Sequence, residues 1–396
     1  MDCCRVARVG VERTALTTNS SGATTTALTL SELCGEYSFF LMPFILTAMM
    51  QSFRLSEATA GQFVSLQLLG MTIGSVLVSL TLRAGRPLTF ILALAAAVII
   101  IANVVCALVH DPTLAAGARI VTGMGEGTAM AAATAAVCAT SNAHRTFSVI
   151  GLAGAVFGIV TLVGTPYMQE HLGVTSVFWM LALLPLPVFL LLRFIPSPAE
   201  SSPTKSGNGA GALLRGAPML LAYLLFWSGG AGVWVYAVRI GAAQGLKPTE
   251  IGLFLSIAQL LSTPAPLAAG WLGPRIGMRN AIVLGCAGLA IAAAVFIFGG
   301  AAATYVGGAF LASTSILFSI PCFRSRMASL DPSGRTVALS VISYTVGFGL
   351  APLFISLVVV EGRGYAAAGV FCVVCFIASA VLGAVQRDVT PAHSRA

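Results

Sequence analysis

Four ionisable residues, Glu32, Glu36, Arg119 and Glu126, stand inside long apolar stretches of this chain. A charge in hydrocarbon is costly, so each is expected to face a protein or water-filled interior and to mark a path for a proton, an ion or a solute. Glu32 and Glu36 are four apart and share one helical face, where like charges repel and one acid is suited to exchanging a proton. Glu126 falls near the centre of its stretch and is the leading candidate for proton coupling, followed by Glu36 and then Glu32. Arg119 lies two turns from Glu126 on nearly the same face, about 10 Å along the axis. That spacing is too long for a tight pair, so Arg119 needs a partner from another segment or a bound anion.

Uncharged residues supply a second kind of chemistry. Tyr223, Trp227 and Trp234 recur at four and seven residues and share a face, with Gly229-Gly230 loosening the helix between them. Such a stripe suits an apolar, aromatic or cationic solute. Asn103, with Gln62, Gln67 and Gln259, offers neutral hydrogen bonds at membrane depth. The candidate substrate-binding set is therefore Arg119, Glu126, Trp227, Tyr223, Trp234 and Asn103. His110, His144, His171 and His393 all fall in turns or the tail, so no metal, no cofactor and no catalytic cluster is expected. Most of the nine cysteines lie in apolar segments, where cysteine behaves as a small hydrophobe.

The elements that position these residues follow from composition. Apolar residues make up 57% of 396, charged residues 9%, and mean hydropathy is +0.94. A soluble domain is about a quarter charged. Segments long enough to span a bilayer are expected near 27–50, 59–81, 87–109, 114–138, 146–167 and 174–195. A second set is expected near 216–238, 249–272, 280–299, 302–322, 336–359 and 364–385. This gives an N-terminal tail at 1–26, a six-helix bundle at 27–195, a Ser-, Gly- and Pro-rich linker at 196–215, a second bundle at 216–385, and a tail at 386–396.

Orientation follows from the basic residues. Of 21 Lys and Arg, Arg54, Arg239, Lys247 and Arg363 fall on one side and Arg119 within a span, leaving 21 − 4 − 1 = 16 on the side of both termini. Loops rich in Lys and Arg stay cytoplasmic, so both ends of a multi-pass protein of the cytoplasmic (inner) membrane are expected inside. The +8 charge is spread over the tail and short turns, without the basic runs that nucleic acid requires.

The halves also repeat one another. Arg83-Ala84-Gly85-Arg86 follows span 2, and Arg275-Ile276-Gly277-Met278-Arg279 follows span 8. Upstream, Gly61-Gln62-Phe63-Val64-Ser65 is mirrored by Gly252-Leu253-Phe254-Leu255-Ser256. Two six-span halves in one orientation form parallel repeats, an architecture used for alternating access.

On these residues the chain resembles the major facilitator superfamily over nearly its whole length. The family's turn after span 2 typically reads as a glycine, three residues, Asp-Arg, one residue, Gly-Arg. The resemblance assigns a gating role to Arg83, Gly85, Arg86, Arg275, Gly277 and Arg279. Leu82 and Pro274 stand where the family has the acid, so the carboxylate latch is missing in both copies. Arg119-Ile120-Val121-Thr122-Gly123-Met124-Gly125-Glu126-Gly127 resembles the family's fourth-helix pattern. Gly151, Gly154, Gly158, Gly164 and Pro166 are similar to the fifth helix of its antiporters. The resemblance implies an all-α fold of twelve transmembrane helices in two pseudo-symmetric six-helix bundles, with spans 1, 4, 7 and 10 lining a central cavity.

The expected function is secondary active transport of a small organic solute, coupled to protons, without a cofactor, by a functional monomer in the lipid bilayer. Three embedded acids against one arginine favour export of a neutral or cationic amphiphile. One alternative is proton-coupled uptake of an organic anion with Arg119 as carboxylate clamp. The other is a membrane sensor that transports nothing.

Overall fold

The computed structural model describes residues 22–83, 87–138, 140, 143–195, 209–330, 335–358 and 365–385. Gly85, Arg86 and most of the expected linker lie outside them. The first half runs through α1 (Gly22–Phe53), α2 (Glu57–Arg83), α3 (Leu88–Leu108), α4 (Pro112–Cys138), α5 (Ala143–Leu172), α6 (Ser176–Leu183) and α7 (Leu186–Leu191). The second half comprises α8 (Gly209–Val235), α9 (Ala237–Ala243), α10 (Pro248–Ser262), α11 (Ala265–Ile276), α12 (Met278–Phe298), α13 (Ala302–Leu330), α14 (Arg335–Val358) and α15 (Ala366–Val385). No strand occurs among the described residues.

Among the described residues, ten helical segments are each long and apolar enough to cross a membrane. The pair α10 and α11, bent by 43° at Thr263-Pro264, forms an eleventh. α4 is 27 residues long and carries Arg119 and Glu126 among small residues, so it falls short of that apolarity, and the twelve spans expected are consistent with the fold without being counted one by one. Several helices overrun the apolar stretches that announced them. α1 begins at Gly22, inside the expected tail, and α8 begins at Gly209, inside the expected linker. Alanines at both starts, Ala23 in α1 and Ala210 and Ala212 in α8, favour helix beyond the hydrophobic core.

Prolines and glycines set the breaks. Asp111 receives the backbone N–H groups of Thr113 and Leu114 at 2.7 and 3.0 Å, capping α4 just ahead of Pro112. Gly277 joins α11 to α12 at φ +84°, a left-handed conformation that favours glycine. Within the first half, α4 packs on α1, α2 and α3, and α5 on α1. Within the second, α8 packs on α14 and α15, and α12 on α13 and α15. The α2–α4 contact is the tightest. A Cβ at Gly123 or Gly127 would strike the carbonyls of Gln67 or Met71, and one at Gly70 or Gly74 would strike those of Ile120 or Met124. These small-residue faces let the two backbones touch, and that contact brings the polar side chains of α2 and α4 within bonding distance.

The outer helices turn apolar faces outward. Phe90, Leu94, Ile101 and Leu108 form such a stripe on α3, and Val370, Val374, Ile377 and Val381 form one on α15. A wholly apolar exposed face of this length suits lipid.

Candidate functional site

The halves meet along two seams, α2 on α14 and α5 on α10, and the repeated pentapeptide lies in both. Pro166 has no N–H for the carbonyl four residues back, so Leu162 O lacks its helical donor. Gly252 of α10 packs its bare Cα against that oxygen, and Ser256 donates to Ile159 O at 3.2 Å. In the other seam Gly61 of α2 lies against the Tyr236 hydroxyl and the Pro352 carbonyl. Pro43 frees Phe39 O in α1 in the same way, and the Trp234 indole N–H of the second half donates to it at 2.6 Å. At the helix ends away from the linker, Glu57 pairs with Arg239 at 3.6 Å and accepts from the Tyr365 hydroxyl at 2.6 Å. The far face is closed by these contacts.

Toward the linker face the seam opens. α5 contributes Gly151 and Gly154 to a cavity wall, and the bent α10–α11 pair contributes Gln259, Thr263 and Pro266 opposite. The cavity between the halves has a volume of about 540 Å³. Phe39, Phe40, Trp227, Trp234, Tyr344 and Phe348 give it an aromatic lining, and among the described residues Glu36 is the one charged residue in its wall. The rings brace one another across the halves. Phe39 stacks on Tyr344 at 5.0 Å and meets Phe348 edge-on at 5.1 Å, while Trp227 meets Tyr344 edge-on at 4.5 Å. Offset and edge contacts of this kind hold aromatic surfaces in fixed positions.

The other embedded charges lie elsewhere. Arg119 is fully buried and Glu126 is 1% exposed, both inside the first half. Gln67 of α2 bridges them: its amide donates to Glu126 Oε2 at 2.9 Å and its carbonyl accepts from Arg119 at 3.3 Å. Ser38 of α1 donates to the other Glu126 oxygen. Arg119 also donates to Asn103 Oδ1 at 2.6 Å, to Thr122 at 3.2 Å and to the Cys106 sulfur at 3.2 Å, with its guanidinium over the Phe178 ring. The expected partner in another span is thus a set of neutral side chains, which satisfy the guanidinium's fork of donors without a direct carboxylate contact.

The expectation of one central space shared by Glu36, Arg119, Glu126 and Trp227 therefore needs correction. Glu36, Trp227 and Trp234 line the cavity; Arg119, Glu126 and Asn103 form a sealed polar chain beside it. Tyr223 is buried behind Trp227, meeting it edge-on at 6.0 Å. The cause is the α2–α4 glycine contact, which turns the charged face of α4 toward α2 and α3 rather than toward the second half. Glu32 is buried near the linker face, where Thr134 donates to its Oε1 at 2.8 Å and its Oε2 has no hydrogen-bond partner among the described residues.

Of the expected gating residues, Arg83 ends α2 and Gly277 forms the turn already described. Arg275 folds back onto its own helix, donating to Trp271 O at 2.8 Å with its guanidinium 3.8 Å from the Trp271 ring. Arg279 is exposed. Sequence reading passed over Phe39 and Phe40, although they follow Glu36 closely, and over Tyr344 and Phe348, whose spacing of four was their only signal. It also counted Arg324 as a loop charge. Arg324 stands on α13, within electrostatic reach of Glu32 and Glu36 across the halves.

No curated protein matches the sequence. Among solved structures, a variant of the nucleoside transporter NupG superposes with a TM-score of 0.74 at 14% identity, covering 91% of this chain and 97% of that one. The D-xylose-proton symporter gives 0.70 at 17% identity, covering 91% and 95%. A bacterial homologue of the human lysosomal transporter Spinster, in an inward-facing and unoccupied conformation, gives 0.66 at 14% identity, covering 91% and 95%. The family model of the Major Facilitator Superfamily matches residues 28–341, most of the chain, from α1 into the start of α14. This multi-pass membrane protein, with its all-α fold of paired six-helix bundles, belongs to the major facilitator superfamily.

Proposed function

We propose that the chain is a secondary transporter which moves a small cationic or neutral organic amphiphile outward across the cytoplasmic membrane in exchange for protons. One observation carries the reading: a single carboxylate, Glu36, stands in an otherwise uncharged aromatic cavity between the halves. The rings supply apolar area and cation–π faces, and Glu36 supplies the counter-charge. A volume of about 540 Å³ falls in the range of small-molecule sites. The solute occupies the aromatic cavity, Glu36 alternates between proton and cation, and Glu126 carries the coupling proton within the first half. Ser38 links Glu126 to the helix that also bears Glu36, two residues away. The D-xylose-proton symporter, which shares the fold, is named for coupling to protons, though in the same direction as its solute. The linker face is cytoplasmic, on the arginine asymmetry, and the protein works as a monomer.

The anion reading has less support, because Arg119 is spent on Gln67, Asn103, Thr122 and Cys106 and lies outside the cavity. The test is binding and transport in proteoliposomes with an imposed pH gradient, over panels of organic cations, neutral amphiphiles and carboxylates. Cation or neutral-amphiphile transport is expected. Glu36→Gln should weaken cation binding at least tenfold. Glu126→Gln should abolish gradient-driven movement while sparing solute exchange. Carboxylate-selective transport lost with Arg119 would overturn the proposal in favour of uptake.

A further inference from the structure

The proposed cycle uses the aromatic rings and Glu36 and leaves the opposite wall of the cavity unexplained. Three neutral polar side chains stand there, Gln259 and Thr263 of α10 and Ser313 of α13. The seam between α5 and α10 fixes the first two. Gly252 lies against Leu162 O and Ser256 donates to Ile159 O at 3.2 Å, so the two helices run antiparallel in close register. Gln259 and Thr263 follow Ser256 on nearly the same face of α10 and come level with Ala155 and Gly151 of α5. Glu36 stands on the other flank of α5, where a Cβ at Gly154 would lie 3.8 Å from its Oε2. A Cβ at Gly151 would meet nothing within 4 Å. The bare face of α5 thus separates the carboxylate from the neutral pair by one helix width, about 10 Å. Gln259 is half-buried, and its side-chain amide makes no hydrogen bond among the described residues. Its main-chain oxygen accepts from the Thr263 hydroxyl at 3.3 Å, which leaves the hydroxyl oxygen able to accept in turn. An unpartnered amide at membrane depth is costly, and a leucine would fill the same space without that cost.

We propose that Gln259 and Thr263 form a second subsite in the cavity, which binds a carboxamide at the far end of a solute whose ammonium sits on Glu36. The solute is two-headed: a cation at one end, an aromatic or apolar middle along the glycines of α5, and an uncharged hydrogen-bonding group at the other end. Gln259 donates to the solute's carbonyl and accepts from its N–H, a reciprocal pairing completed by a group that both donates and accepts. Thr263 Oγ1 accepts the second N–H of a primary amide. A carboxylate at this end would find no cation, and a second ammonium no counter-charge, because among the described residues Glu36 is the one charge in the wall. A hydrocarbon of the same shape enters the same space but leaves the Gln259 amide unpaired, which is how a hydrogen-bonding site rejects an analogue. The inference rests on the cation reading of Glu36 and adds the chemistry of the solute's other end.

The probes are para-(aminomethyl)benzamide and para-isopropylbenzylamine, which share ring and ammonium and differ in a carboxamide against an isopropyl group of similar shape. Binding to the full chain in lipid nanodiscs is followed by the fluorescence of Trp227 and Trp234, which line the cavity. The parent should bind the carboxamide about tenfold more tightly, the worth of one or two neutral hydrogen bonds. Gln259→Leu should erase that preference by weakening the carboxamide alone. Undiminished binding of the isopropyl compound shows that the variant is folded. Glu36→Gln should weaken both amines and keep their ratio. Equal affinity of the parent for the two amines, or a preference that survives Gln259→Leu, refutes the subsite and leaves the cation reading standing. Equal weakening of both amines by Gln259→Leu refutes it as well, since the residue then serves packing alone. Failure of both amines to bind the parent overturns the cation reading of the cavity, and the subsite with it.

Discussion

Replacing Gln67 by methionine tests the sealed polar chain most directly. The substitution keeps an unbranched side chain of similar length, so packing between α2 and α4 is little disturbed. It removes the donor to Glu126 Oε2 at 2.9 Å and the acceptor for Arg119 at 3.3 Å. Hydrogen bonds to charged groups are worth about 1.5–3 kcal/mol each. One of the two is long, so the lower end applies to it, and the sum is about 3–4 kcal/mol. Gln67 is fully buried, so no water is at hand to replace it. At about 2–4 °C per kcal/mol the midpoint of thermal unfolding should fall on the order of 10 °C. The assay is built into the chain: buried free thiols at Cys34, Cys286, Cys322, Cys372 and Cys375 react with a fluorogenic dye only as the protein unfolds. Because Gln67 acts through Glu126, the Gln67→Met and Glu126→Gln effects should be less than additive. A midpoint within about 2 °C of the parent, or strict additivity, would refute the chain as a coupled unit.

Three further outcomes are expected. Gly123→Val sets a branched side chain on the Gln67 carbonyl; overpacking of about 1–3 kcal/mol or more should lower the unfolding midpoint measured by the same dye, whereas Gly117→Val, at an open position, should not. A single cysteine at Ala243 should label only from outside the cell and one at Ser206 only from inside; labelling of both from one side would refute the topology. Backbone N–H groups of Leu114 and Thr113 hold the Asp111 carboxyl below the usual carboxylate range. A lowered folded value means the cap stabilises above the unfolded carboxylate range and is lost as pH falls through the folded value. Asp111→Ala should therefore lower the unfolding midpoint slightly at pH 7, and the difference from the parent should begin to shrink below about pH 4 and vanish only below the lowered folded value.

Much of the architecture was legible in the sequence because hydropathy and proline positions act locally. The apolar stretches marked the helices, and the Gly61 and Gly252 pentapeptides marked surfaces that touch across the halves. The charges were legible as buried but not as neighbours. Sequence spacing placed Arg119 and Glu126 on one face of α4, yet the direction of that face is set by the fit of Gly123 and Gly127 against α2. That fit is a property of two backbones at once. Trp227 and Trp234 could be found by periodicity within one helix. Tyr344, Phe348 and Arg324 matter through contact or field with residues of the opposite half, and nothing adjacent in the chain announces it.

The prolines in α1 and α5 carry a consequence for the opposite stage of the cycle. While the far face is shut, Phe39 O is capped by an indole N–H and Leu162 O by the bare face of a glycine. When the halves separate there, both covers leave together with the second half, and no helical N–H is available to take their place. The far side of the path is then edged by naked carbonyl oxygens instead of rings. In the proposed export cycle, an amphiphile held by the aromatic faces of the cavity would meet there a hydrated surface that competes poorly for it. The same two prolines thus seal the door in one state and make its threshold slippery in the other.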